Sequence, residues 1–209
     1  MAIEPKELMQ APRFEGIGSF VSCRPGNEEW KPSFVFEFLG GQMSVEVEES
    51  EAANPPTVGA LFAVGGHVRY NNRYGSVSLV STVKKQLGAT VESLSPDQME
   101  QFLRGVRVWG VGIVHARTTS TMNRTTYSKA TLKWHGATHE FRMLPPEVYG
   151  KIPSVGRYVR FELGISVREE RIEGRLTTVT YPSLKSAAFD DLATGSVAAK
   201  PAVPPPSKT

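Results

Sequence analysis

The chain has 209 residues, 40% hydrophobic and 22% charged, with 24 Lys/Arg against 21 Asp/Glu. That length supports one sizeable domain or two small ones, each able to bury a core, and the composition is that of an ordinary soluble globular protein. No run approaches the ~18 apolar residues of a membrane helix, and the single cysteine, Cys23, excludes an internal disulfide, which points to a reducing, cytoplasmic setting.

Residues 1–12 (MAIEPKELMQAP) have neither the basic start nor the apolar stretch of a secretory leader and read as an N-terminal arm. Residues 13–86 then read as a run of strands. A first strand holds Gly16 and Gly18. A second alternates Phe34, Phe36 and Phe38, the period-2 mark of a half-buried strand. Gly40–Gly41 supply a tight hairpin turn into a third strand at 43–48. ESEAANPP (49–56) leaves room for one helical turn. PTVGALFAVGG (56–66) is a fourth strand, NNRYG (71–75) a turn, and SVSLVSTV (76–83) a fifth strand.

Residues 87–105 read as a linker with a short helix. Ser95 is the N-cap, Pro96 the first helical residue, and Gln98 completes a Ser-x-x-Gln capping box. Met99, Phe102 and Leu103 share one face, and Gly105 stops the helix.

Residues 106–187 repeat the first pattern. Gly110-Val-Gly112 answers Gly16-Ile-Gly18, and the alternation of Ala130, Leu132 and Trp134 answers the three phenylalanines. Gly136-Ala137 answers the first hairpin glycines, PPEVYGKIP (145–153) the connector, and PSVGRYVRFELG (153–164) the PTVG strand. EERIEG (169–174) and RLTTVTYP (175–182) close the unit. Glycines inside the first and fourth strands (Gly18, Gly66, Gly112, Gly164) suit bulges and the bends of a small barrel. Residues 188–209, small and rich in proline, read as a disordered tail.

Three strands, a connector and a two-strand hairpin, with VGALFAVGGHVRYNNRYGSVSLVSTVKK (58–85) carrying the likeness, make each unit resemble the OB-fold. In particular, each resembles the single-stranded DNA-binding protein family of bacteria and their phages. The expected architecture is all-β: two tandem five-stranded OB-like barrels joined by a short helix. The acidic, Phe-ended tail tip of that family is absent from this sequence.

Charge separates the two units. Residues 13–86 hold seven Lys/Arg and eight Asp/Glu, a net of −1, whereas residues 106–187 hold thirteen and six, a net of +7. The resemblance implies a ligand groove on strands two and three, flanked by the loops after strands one and four. In the second unit these positions supply Arg117, Arg124, Tyr127, Lys129, Lys133, Arg168 and Arg171. In the first, RYNNRYG supplies Arg69, Tyr70, Arg73 and Tyr74 at a hairpin tip, where the tyrosines either stack on bases or pair across the hairpin. A basic track with aromatic faces is what a single-stranded nucleic acid requires.

Other chemistry finds little purchase. His135 and His139 flank a hairpin, but zinc wants four good ligands and one cysteine is on offer; solvated surface histidines explain them as well. Cys23 beside Arg24 has no base placed by sequence. No phosphate loop or nucleophile elbow is present. The sequence therefore predicts a non-enzymatic protein without cofactor or metal that binds single-stranded nucleic acid, ssDNA before RNA, with a place in DNA replication or repair. The alternative is a protein-interaction or assembly module, with the acidic segment 46–51 facing a basic partner or a second copy.

Overall fold

The computed structural model describes residues 10–28, 31–71, 76–122, 125–134, 137–141, 144, 146–172 and 174–192. Ten strands dominate them: β1 Arg13–Arg24, β2 Ser33–Phe38, β3 Gly41–Glu46, β4 Leu61–Asn71, β5 Ser76–Gly88, β6 Arg107–Met122, β7 Thr125–Trp134, β8 Ala137–Phe141, β9 Tyr158–Ile172 and β10 Arg175–Leu192. The helical pieces are α1 Glu49–Ala52, a 3-10 turn at Val91–Ser93, α2 Pro96–Arg104 and α3 Pro146–Tyr149. Each falls in a connector that the sequence leaves too short for more.

β1 pairs antiparallel with both β2 and β4, β2 with β3, and β4 with β5, while β3 and β5 meet in parallel through Val45–Leu79 and Glu46–Val80. The first five strands thus return on themselves. The second five follow the same order, β8-β7-β6-β9-β10, with no β8–β10 pairing among the described residues. The expectation of two separate barrels needs correction: all ten strands belong to one hydrogen-bonded sheet. The junction is a short antiparallel match of Arg13, Phe14 and Glu15 with Trp109, Val108 and Arg107.

The core explains why the halves fuse. Phe20, Phe34, Phe36, Phe38 and Phe62 pack edge-to-face or tilted, with centroids 5.2–6.3 Å apart, geometries that suit the ring quadrupole. Trp134 lies tilted on Phe161 at 5.1 Å. These two groups belong to one continuous apolar cluster that includes Val106 and Val108. A methyl of Val106 comes so near Gly16 that a Cβ there would lie 3.0 Å from it.

Local constructions recur between the halves. The register breaks between Phe20 and Ser22 in β1 and between Val114 and Ala116 in β6, each two residues past a Gly-x-Gly. Gly59 N–H donates to the Phe20 carbonyl at 2.8 Å, and Phe20 N–H to the Ala60 carbonyl at 2.9 Å. Gly156 N–H donates to Val114 at 2.8 Å, and Val114 N–H to Arg157 at 2.9 Å. Both glycines sit at positive φ, 86° and 85°, where a side chain is strained.

The linker helix forms as its sequence dictates. Ser95 Oγ accepts from Gln98 N–H, the Gln98 side chain accepts from Ser95 N–H at 2.8 Å, and Gly105 ends the helix at φ 67°. Met99 and Phe102 are half-buried, but Leu103 is 61% exposed and does not share the packed face. At the other end, β10 runs five residues past the expected boundary at 187. Phe189 and Leu192 are buried there, because a register break between Ser183 and Ala188 lets the strand resume pairing with β9. Of the expected tail at 188–209, residues 188–192 thus belong to β10, and the remaining residues 193–209 lie outside the described residues.

Candidate nucleic-acid interface

β7 alternates as its sequence requires. Ala130, Leu132 and Trp134 are buried, while Lys129 and Thr131 are half-exposed and Lys133 is exposed. Pairing extends this polar face across neighbouring strands. Lys133 stands opposite Ile113 of β6 and Thr138 of β8, Ile113 stands opposite Tyr158 of β9, and Lys129 stands opposite Thr118. Glu140, opposite Thr131, is the acid set between the two lysines. Tyr158 and Arg160 are residues of this surface that were not among the expected site residues. The alternation in RYVRFEL turns them outward, Arg160 exposed and Tyr158 half-exposed, since Val159, Phe161 and Leu163 are buried.

The β9–β10 hairpin carries Arg168 and Arg171, both exposed and opposite Val179 and Leu176. Arg168 lies 5.7 Å from the Tyr181 ring centroid, and the Tyr181 hydroxyl donates to Glu170 Oε2 at 2.7 Å. Burial, with the Glu170 hydrogen bond adding to it, pushes the Tyr181 phenol up to about 12. The hairpin does not stand free, because β10 packs near β5 and β9 near β3 of the first half. Lys129, Lys133, Arg160, Arg168 and Arg171 make no ion pair among the described residues.

Other expected site residues are placed differently. Arg117 is half-buried: its guanidinium stacks over Tyr149 at 4.5 Å, and Nη2 donates to the Tyr149 carbonyl at 3.0 Å. It ties β6 to the α3 connector instead of facing a groove. Arg69 pairs with Glu46 at 3.2 Å. Tyr70, expected at an exposed tip, is half-buried with its ring 6.0 Å from Trp134, and burial pushes its phenol up. Arg73, Tyr74 and Arg124 lie outside the described residues, as does the side chain of Tyr127. The structure thus groups Lys129 and Lys133 on one face with Tyr158 and Arg160 nearby, and sets Arg168 and Arg171 on the adjoining hairpin.

The acidic segment 46–51 is largely committed within its own half: Glu46 to Arg69, Glu48 to Lys31, and Glu51 to Lys84. The Lys84 hydrogen bond holds the Glu51 carboxyl below the usual carboxylate range. A surface whose charges are already paired has little left for a basic partner. Cys23 is half-buried, its thiol 3.8 Å from the Ala52 carbonyl. No metal-binding group of His, Cys, Asp or Glu occurs among the described residues, and His135 together with the His139 side chain lies outside them.

The ring of β1-β2-β3-β5-β4, with its single parallel contact and the connector after β3, defines an OB-like all-β fold. No protein-family model and no curated protein matches the sequence. Among solved structures, the chain is similar to the single-stranded DNA binding protein from Thermus aquaticus, with a TM-score of 0.51 and 12% identity, covering 91% of this chain and 96% of that one. A deletion mutant of that protein gives 0.46 and 11% over 88% of this chain and 94% of its own. A replication protein A heterotrimer bound to ssDNA gives 0.25 and 11% over 88% and 52%. At such identity the first of these speaks for the fold alone.

Proposed function

We propose that this chain binds single-stranded nucleic acid, ssDNA before RNA, as a non-enzymatic protein built from two OB-like units in tandem. The observation that carries the reading is the exposed cationic face of β7 and β9. There Lys129, Lys133 and Arg160, with Arg168 and Arg171 on the adjoining hairpin, are free of ion pairs among the described residues, whereas Glu46, Glu48 and Glu51 of the first half are paired within it. Backbone phosphates are the partner such unpaired cations suit, and a half-exposed Tyr158 beside them gives a base a face to stack on. The twin turns at Gly59 and Gly156 and the matching bulges in β1 and β6 support the tandem arrangement. The likeness to a protein named for binding single-stranded DNA supports the choice of ligand. On this reading the protein serves DNA replication or repair in the cytoplasm.

The test is fluorescence anisotropy of a labelled ~30-nucleotide single strand over a salt series, with duplex and RNA competitors. Affinity should fall linearly in log salt as counterions are released, with a slope of about −0.7 per phosphate contacted. Replacing Arg124, Lys129 and Lys133 together by Glu should abolish binding. Wild-type affinity in that triple variant would remove this face from the interface. Absence of single-strand binding at low salt, combined with a size that grows with concentration, would replace the proposal with an assembly role.

A further inference from the structure

The junction between the two halves forms a second polar-aromatic feature, separate from the β7 face. Strand register lines up Glu162, Trp109, Arg13, His67 and Val80 across β9, β6, β1, β4 and β5. Side chains at paired positions point to the same face of a sheet, so this row crosses from one half to the other. Arg13 is exposed, and Trp109 and His67 are half-buried. A groove of about 630 Å³ opens here, lined by Arg13, Gly65, His67, Val83, Gln101 and Trp109 among others.

That volume lies in the range of small-molecule clefts, and the groove has the mixed chemistry of one. Trp109 and the 62% exposed Val83 are apolar, and the Gln101 amide and His67 imidazole offer donors and acceptors. The floor is glycine: a Cβ added at Gly65 would meet only the Phe14 carbonyl, at 3.4 Å. The neighbouring Gly66 is different, since its Cβ would fall 2.0 Å from the Val80 carbonyl oxygen. Backbone packing thus demands glycine at 66, whereas at 65 its smallness leaves the groove open. Formal charge is nearly balanced, with Glu15 two residues along β1 and Arg107 paired to Glu162 at 2.8 Å. The site is therefore ill suited to a run of phosphates and well suited to one planar group with a single negative charge beside Arg13.

We infer that this groove holds one nucleotide of a bound single strand, its base stacked on Trp109 and its phosphate against Arg13. This inference rests on the proposed function, and it places a contact between the halves instead of on either one alone. The stacking on Trp109 adds affinity that salt does not erode, and the phosphate beside Arg13 adds a single salt-dependent contact.

Equilibrium binding of a ~30-nucleotide oligothymidylate, read by tryptophan emission and by anisotropy, tests it. The wild type should show quenched emission on binding. Trp109→Phe should lose most of that quenching while keeping most of the affinity, because an aromatic face remains. Trp109→Ala should weaken binding roughly five- to hundredfold, the range for loss of one stacked base, with the log-salt slope unchanged. Arg13→Gln should lower the slope by about 0.7, one phosphate contact. Gly65→Leu, which fills the groove, should weaken binding as Trp109→Ala does. A wild type that binds no single strand overturns the proposed function itself. A wild type that binds, with full quenching retained in Trp109→Phe or unchanged affinity in both Trp109→Ala and Gly65→Leu, overturns the groove alone. If either of those last variants fails to fold, the emission of Trp109→Phe still decides.

Discussion

Adjacent glycines in β4 do unlike work. At Gly66 a methyl group would collide with the Val80 carbonyl, which as backbone of the paired β5 has nowhere to retreat. Gly66→Ala should cost about 2–4 kcal/mol in urea unfolding, the upper end of overpacking effects. Gly65→Ala should lie within about 1 kcal/mol of wild type, and a small gain is consistent with the lower chain entropy of alanine. Tyr181 offers a second check. Its folded phenol titrates at about 12 because burial and Glu170 oppose the phenolate, against ~10 in the unfolded chain. A raised pKa gives stability that is complete below the unfolded value and lost as pH climbs through the folded one. Alkaline unfolding should therefore set in between about pH 10 and 12, and Tyr181→Phe should remove this contribution. Phenolate absorbance of the two proteins measures it directly. The Gly66 constraint is not readable from AVGGH, since the clashing oxygen belongs to a residue fourteen positions on.

Turns and strands make up the next level. The turn before β4 and the turn before β9 lock to β1 and β6 by the same two backbone hydrogen bonds, and each holds a glycine at φ near 85°. Alanine at Gly59 or Gly156 must adopt that strained conformation at about 1–2 kcal/mol, and no neighbour crowds either site. Equal losses of melting temperature are expected for the two variants, and a large difference would show that the turns are not equivalent. These elements were legible in the sequence for a local reason. Hairpin glycines, the Ser95–Gln98 box and period-2 alternation all depend on residues within a few positions of each other. The exposure of Leu103 and the extension of β10 to Leu192 were not legible, because each depends on what a distant segment covers.

For the whole molecule, the decisive feature is one apolar cluster running through both halves, reinforced by the Tyr70–Trp134 ring contact and the β1–β6 pairing. Two independent barrels would melt separately. Here calorimetry should show a single cooperative transition with matching calorimetric and van't Hoff enthalpies, and two resolved transitions would contradict the shared core. Charge also acts at this scale, setting a +7 segment against a −1 segment.

The sequence by itself determined the all-β class, the order of ten strands, the capped helix between the halves and the polar face of β7, because period and turn chemistry are local properties. Only the tertiary structure decided that Arg117 is absorbed by Tyr149, that Tyr70 is packed against Trp134, and that Trp109, Arg13 and His67 stand in one row. Those outcomes depend on pairing register and on contacts between residues tens of positions apart, and no local pattern in a chain encodes which distant side chain will reach it first.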